Sequence, residues 1–289
     1  VYPKQYAAFI SKINFIHLDI GFILSYFCIL VTDFYDRLLI ATMLPFVVLA
    51  ALAGTYSIAR RRYKRSEDSM REVRHKHLSA ALFFTFFVYA SVSFTIFQTF
   101  VCDTLDNVPF LRADYNLRCD TTVYRQYKAY AIVMVCVYPI GVPAVFAWWL
   151  YRNRVELARP SRDTASHLDA LSGIWAAYRP SRYFYEVVEC GRRIALTAAA
   201  IFVLPNSVSQ IAVVLLLAAI FLFLSESLSP FNKTVDMRLY RWGNGIVLAS
   251  MYVALLLKVD VSNEGHISLS AFGKVLIFAN VFMIITVVV

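Results

Sequence analysis

Two cysteines and four carboxylates crowd one short stretch of this chain. Cys102 and Cys119 bracket Asp103, Asp106 and Asp114, and Asp120 follows at once. In an oxidising compartment the two thiols would close a loop of 17 residues, a bridge worth about 3 kcal/mol by chain entropy. The alternative is two unrelated thiols at a membrane edge. Carboxylates on such a loop could gather cations at a pore mouth or hold Ca²⁺. Arg112 and Arg118 halve their net charge, however, and the plainer reading is a small folded cap with internal ion pairs. A second cluster runs from Tyr183 through Glu186, Glu189, Cys190, Arg192 and Arg193. On a helix Glu189 meets Arg192 at i+3 and Arg193 at i+4, the favourable order of charges. Charges at a membrane edge can latch onto a neighbouring helix, bind a lipid headgroup, or snorkel to water. A third cluster, Tyr138-Pro139-Ile140-Gly141-Val142-Pro143, removes successive helical hydrogen bonds from an apolar run. It is either a bend that fits a bundle or a hinge whose freed carbonyls line a cavity.

Other chemistry is not signalled. Of five histidines only His17 lies in an apolar block, so no pair of helices offers two haem ligands. Lys274 stands at the entrance of an apolar run rather than in its middle. No phosphate-binding loop, zinc-protease or nucleophile-elbow motif occurs, and no inverted repeat is visible. No catalytic residue, metal site or organic cofactor is expected, and the chain is not read as an enzyme.

The elements that must position these groups are set by composition. The chain has 289 residues, 60% of them hydrophobic and 16% charged, with a mean hydropathy of +0.60. Soluble domains run nearer to about 25% charged. The apolar residues also come in blocks too long and too numerous for one aqueous core, which excludes a soluble enzyme and makes lipid the solvent. Backbone groups in hydrocarbon must pair within their own segment, and period-2 alternation is lacking, so the blocks read as helices. The expected fold is all-α: a polytopic membrane helix bundle with spans at 38–59, 79–101, 129–151, 187–205, 208–225, 242–258 and 273–289. An eighth block, 13–31, carries His17, Asp19 and Gly21 and reads as interfacial or re-entrant, with a true span as the alternative. Residues 1–37 are thus a pre-membrane segment and 38–289 the bundle. The stretch from Ser225 to Asp236 reads as a loop between two spans. Val1 in place of Met, and an apolar run that continues to Val289, suggest a piece of a longer protein.

Charge orients the bundle. Lys and Arg gather in 60–77, 152–193 and 233–241, nineteen in all, against seven in the loops of the other face. The positive-inside rule puts the first set in the cytoplasm and the loop holding Cys102 and Cys119 outside. The net charge of +9 is therefore a matter of topology, and no nucleic-acid partner is implied. One signal opposes this: the sequon Asn232-Lys233-Thr234 falls on the inner face.

The runs Phe97 to Cys102, Leu111 to Cys119 and Tyr124 to Tyr130, then Tyr138 to Pro143, Tyr185-Glu186 with Glu189 and Arg192-Arg193, Ser209-Gln210, and Ser229 to Asn232 with Asp236 carry a likeness. Over residues 10 to 260 the chain resembles the TRP-like or polycystin-like C-terminal membrane module of large protist and algal surface proteins. The resemblance implies a cation channel or channel-like sensor of the plasma or ciliary membrane, working as a homo-oligomer or with a polycystin-like partner subunit. It also implies an extracellular filament or ectodomain attached to the module. A non-conducting anchor for that filament is the alternative, and a seven-helix receptor a third reading. Between its last two spans the chain carries Asp260, Glu264 and His266 but no selectivity-filter motif.

Overall fold

The computed structural model describes residues 33–62, 67–159, 169–203 and 207–259, with 277, 278 and 281. Helix α1 spans Phe34–Arg62 and α2 spans Glu67–Gln98; strands β1 (Cys102–Leu105), β2 (Val108–Leu111) and β3 (Asp114–Arg118) follow. Next come α3 (Thr122–Val135), a π-helical turn at Cys136–Gly141, α4 (Val142–Arg152) and the short α5 (Arg154–Leu157). Two 3₁₀ turns, Asp169–Ile174 and Pro180–Arg182, lead to α6 (Tyr185–Phe202), α7 (Val208–Leu228) and α8 (Thr234–Lys258). The chain divides into two compact units between Ile194 and Ala195, within α6.

In the unit that ends at Ile194, α1 begins where Asp33 takes the amides of Tyr35 and Asp36 at 2.9 and 3.1 Å, satisfying donors that a helix start leaves open. Its inward stripe is Phe34, Leu38, Ala41 and Pro45, with Tyr35 and Thr42 beside it. Phe34, Tyr35 and Leu38 meet Val88, Val92 and Ile96 of α2 and Tyr124, Ala131 and Met134 of α3, with Leu111 of β2 closing the end of the cluster. Tyr35 stacks on Tyr127 at 4.1 Å between centroids. A second core joins Tyr89 of α2, Phe146 and Leu150 of α4, Leu157, Ile174, Trp175 and Cys190. In the other unit α7 starts on a Ser207 cap, whose hydroxyl oxygen accepts from the Gln210 amide at 3.0 Å, and stops at Ser229, which takes a left-handed φ of 40°. Arg241 of α8 grips both oxygens of Glu226 on α7 at 2.6 Å each.

The helical reading holds for most of the chain, with instructive departures. Among the described residues four helices are long and apolar enough to cross a membrane: Phe34–Arg62, Ser69–Gln98, Thr122–Arg152 and Val208–Leu228. The last has only 17% of its most apolar window buried in the fold, as suits a helix whose apolar face meets lipid. The expected spans at 187–205 and 242–258 are helical but fall short of that standard. The N-terminal block 13–31, and 273–289 apart from three helical residues, lie outside the described residues. Helices also run past the lipid-length blocks. α2 reaches back to Glu67 through residues expected to be loop, helped by a Glu72–Lys76 pair at i,i+4, and α7 keeps Ser225 to Leu228 while α8 starts at Thr234. Strands of four and five residues are too short to register as alternation, so the all-α expectation missed a three-stranded antiparallel sheet.

Candidate functional site: a stapled cap and a buried charge corner

The cap is built between α2 and α3. Its strands run β1-β2-β3, with Cys102 opposite Leu111 and a register shift at Phe110/Leu111. Asp106 and Asn107 form the two-residue hairpin loop with φ of 49° and 64°. Both are left-handed, as a turn that follows the strand twist requires, and Asp and Asn are the side chains that tolerate it best. Cys102 and Cys119 are joined by a disulfide, their Cα atoms 6.5 Å apart, so β1 is tied to the end of β3 across β2.

Each carboxylate of the cap except that of the turn residue Asp106 is engaged inside it or just beneath it. Asp103 takes a bidentate guanidinium from Arg112 and a hydroxyl from Tyr115 at 2.8 Å. Asp120 pairs with Arg118, Nη2 to Oδ2 at 2.5 Å. Asp114 accepts from the amide of Asn116 and, at 3.3 Å, from the amide of Phe34, so the cap also holds the first turn of α1. The Arg112 guanidinium holds the Asp103 carboxyl below the ordinary aspartate range, and Arg118 does the same for Asp120. Among the described residues no three His, Cys, Asp or Glu side chains converge as a metal site.

The break in the third span is filled by tyrosines. Pro143 has no N–H to give to the carbonyl of Pro139, four residues before it. The hydroxyl of Tyr89 on α2 donates to that carbonyl instead, at 3.2 Å. Tyr138 donates to the carbonyl of Thr42 on α1 at 2.7 Å, beside the carbonyl that Pro45 leaves open. Gly141 has a steric reason: a Cβ there would lie 2.8 Å from the carbonyl oxygen of Cys136. The freed carbonyl thus belongs to a packed joint.

The third constellation, at the start of α6, is split in two. Glu189, 6% exposed, receives both arginines: Arg192 at 2.8 and 2.5 Å and Arg193 at 3.3 Å. Arg193 also lies over the ring of Phe86 on α2, 3.7 Å from its centroid, and donates to the Phe86 carbonyl at 3.4 Å. Glu186, equally buried, makes no ion pair with a described residue and accepts from the hydroxyl of Tyr178 at 2.7 Å. Burial pushes its carboxyl up to about 7, with the Tyr178 hydroxyl working against the rise. A cavity of about 180 Å³ opens before it, lined by Ser79, Leu82, Phe83, Phe86, Phe146, Gly173, Ile174 and Glu186.

The pairing of Glu189 with Arg192 and Arg193 is local and follows from helix spacing. Tyr178, Phe86 and Tyr89 do not: they come from other segments, up to 107 residues away, and a single sequence gives no sign of the approach. Comparison with protein families, with curated proteins and with solved structures finds no match to this chain.

Proposed function

We propose that this chain is a membrane-embedded anchor of the polycystin-like kind, which holds a stapled cap, and an extracellular filament or ectodomain, at the cell or ciliary surface. The carrying observation is the internal pairing of the cap. Asp103 and Asp120 are each bound by an arginine of the same small sheet, and Asp114 is spent on backbone amides. A cation funnel needs carboxylates whose charge is free to act on passing ions. A load-bearing attachment needs what this loop has: three strands, a covalent tie and ion pairs that set its shape. In this reading the basic ends of α1 and α2, at Arg60 to Arg62 and Arg71 to Lys76, face the cytoplasm, and the cap at the opposite end of the same helices faces outside.

The test is electrical and mechanical. Purified protein in planar bilayers is expected to give no cation current under voltage, Ca²⁺ or membrane tension, and surface proteomics after gentle cross-linking is expected to join the cap to extracellular material. A reproducible single-channel current would overturn the anchor. One observation favours the competing channel-like sensor, namely the π-helical turn inside the third span, since such turns can shift register. On that reading Tyr89→Phe, which unties the turn, would change the current.

A further inference from the structure

The corner between α2, α4 and the start of α6 holds a carboxylate that, among the described residues, has no ion-pair partner. Both arginines of α6 are ion-paired to Glu189, and Arg193 lies over the ring of Phe86, close enough to act on Glu186 only through space. Glu186 keeps one neutral partner, the Tyr178 hydroxyl on Oε2, and among the described residues its other oxygen has none. The residue is buried, at 6% exposure, and lines the cavity. Around it stand Phe83 and Phe86 of α2 and Phe146 of α4, with Ser79 the other polar side chain of the lining. A carboxylate taken out of water without a counter-charge is costly, and it resolves that cost by protonation or by pairing. Aromatic faces beside a carboxylate are the chemistry that recognises an ammonium group carried on an apolar body.

We infer that this cavity is a binding site for a small lipophilic amine, whose ammonium pairs with Glu186 while its hydrocarbon part fills the space between Phe83, Phe86 and Phe146. The size suits that class. An apolar cavity of about 150 Å³ holds benzene, and this one, at about 180 Å³, has room for a ring with a short aminoalkyl arm. The site lies wholly within one compact unit and is independent of whether the module conducts. It is also gated by protons. The titratable and charged groups facing Glu186 are Tyr178 from the preceding segment and Glu189, Cys190 and Arg193 from its own helix; α2 and α4 present Ser79 and phenyl rings. A ligand that is cationic throughout must compete with the proton that the buried carboxyl takes up near neutrality.

The experiment uses the full chain in an uncharged detergent, with 2-phenylethylamine, 2-phenylethanol and ethylbenzene as probes and saturable binding by calorimetry as the readout. At about pH 8 the amine is expected to bind at least about tenfold more tightly than the alcohol. Below neutrality its affinity is expected to fall by about tenfold per pH unit, while that of ethylbenzene stays level. Glu186→Gln should bring the amine down to the alcohol. Gly173→Leu, which fills the cavity and leaves Glu186 in place, should abolish binding of all three, and keeps the test open should the first variant fail to fold. Equal binding of amine and ethylbenzene, an amine affinity indifferent to pH, unchanged binding by either variant, or no saturable binding of the amine would each overturn the site.

Discussion

The cap and the corner at α6 use the same ingredients, aspartate or glutamate with arginine, and distribute them in opposite ways. In the cap Asp103 and Asp120 each have an arginine of their own, and the side chains are a quarter to a half exposed. In the corner one carboxylate takes two arginines and its neighbour pairs with none among the described residues, with both carboxylates buried. Even pairing in water stabilises little and fixes shape, whereas uneven pairing away from water leaves a group that must find either a proton or a ligand. The difference marks the cap as a structural part and the corner as a place where binding has something to gain.

The comparison can be broken most forcefully at its best-paired buried group. Glu189→Gln removes the carboxylate that Arg192 and Arg193 both hold and is expected to cost about 3 kcal/mol or more, seen as an early loss of tertiary structure on heating. Cys102→Ser should cost about 3 kcal/mol by loop entropy, with the loss confined to the cap and read by proteolysis between residues 102 and 119. Gly141→Ala drives a methyl to within 2.8 Å of the Cys136 carbonyl; it should cost about 1–3 kcal/mol, as overpacking does, and loosen the joint that both cores share. Arg112→Ala removes a part-exposed pair and should cost less than about 1 kcal/mol. Arg118→Ala should leave stability unmoved in denaturant titrations.

Acidity sharpens the contrast, because the two regions titrate with opposite sign. Asp103 is held below its usual range by Arg112, so its stabilisation is complete above the ordinary aspartate pKa and is lost as pH falls through the lowered one. Glu186 is raised to about 7, so between the ordinary glutamate value and neutrality the folded corner holds a proton that the unfolded chain has released. Rising pH therefore weakens the corner over that window, and Glu186→Gln should flatten the slope. Hydrogen exchange corrected for its intrinsic pH dependence, measured from about pH 4 to 8, is expected to show protection of α6 falling with rising pH while the cap stays level until the acid end.

How much of this was legible in the sequence follows the range of each interaction. Apolar blocks gave away the helices because lipid leaves the backbone no other choice, and the Cys102–Cys119 tie was visible because both cysteines share one polar loop. Glu189 with its arginines was legible as a helix spacing. Helix ends were misjudged where charged residues of good helical propensity carry α2 past the lipid-length run, to Glu67. The sheet was missed since its strands are only four and five residues long. The split between Glu186 and Glu189 depends on Tyr178 and Phe86, which reach α6 from other segments, and no periodicity in one chain encodes that meeting.

The π-helical turn leaves a trace in the numbering of the span it interrupts. Before and into it the inward residues are Tyr124, Ala131 and Met134, then Tyr138 within the turn, a series that a plain helix would continue at 145 and 149. After it the buried positions are Phe146 and Leu150, each one place later, while Val145 is 61% exposed. The turn is thus a single-residue insertion absorbed without rotating the helix out of its seat. Excising Ile140, which points away from both cores at 58% exposure, would return the span to one unbroken stripe.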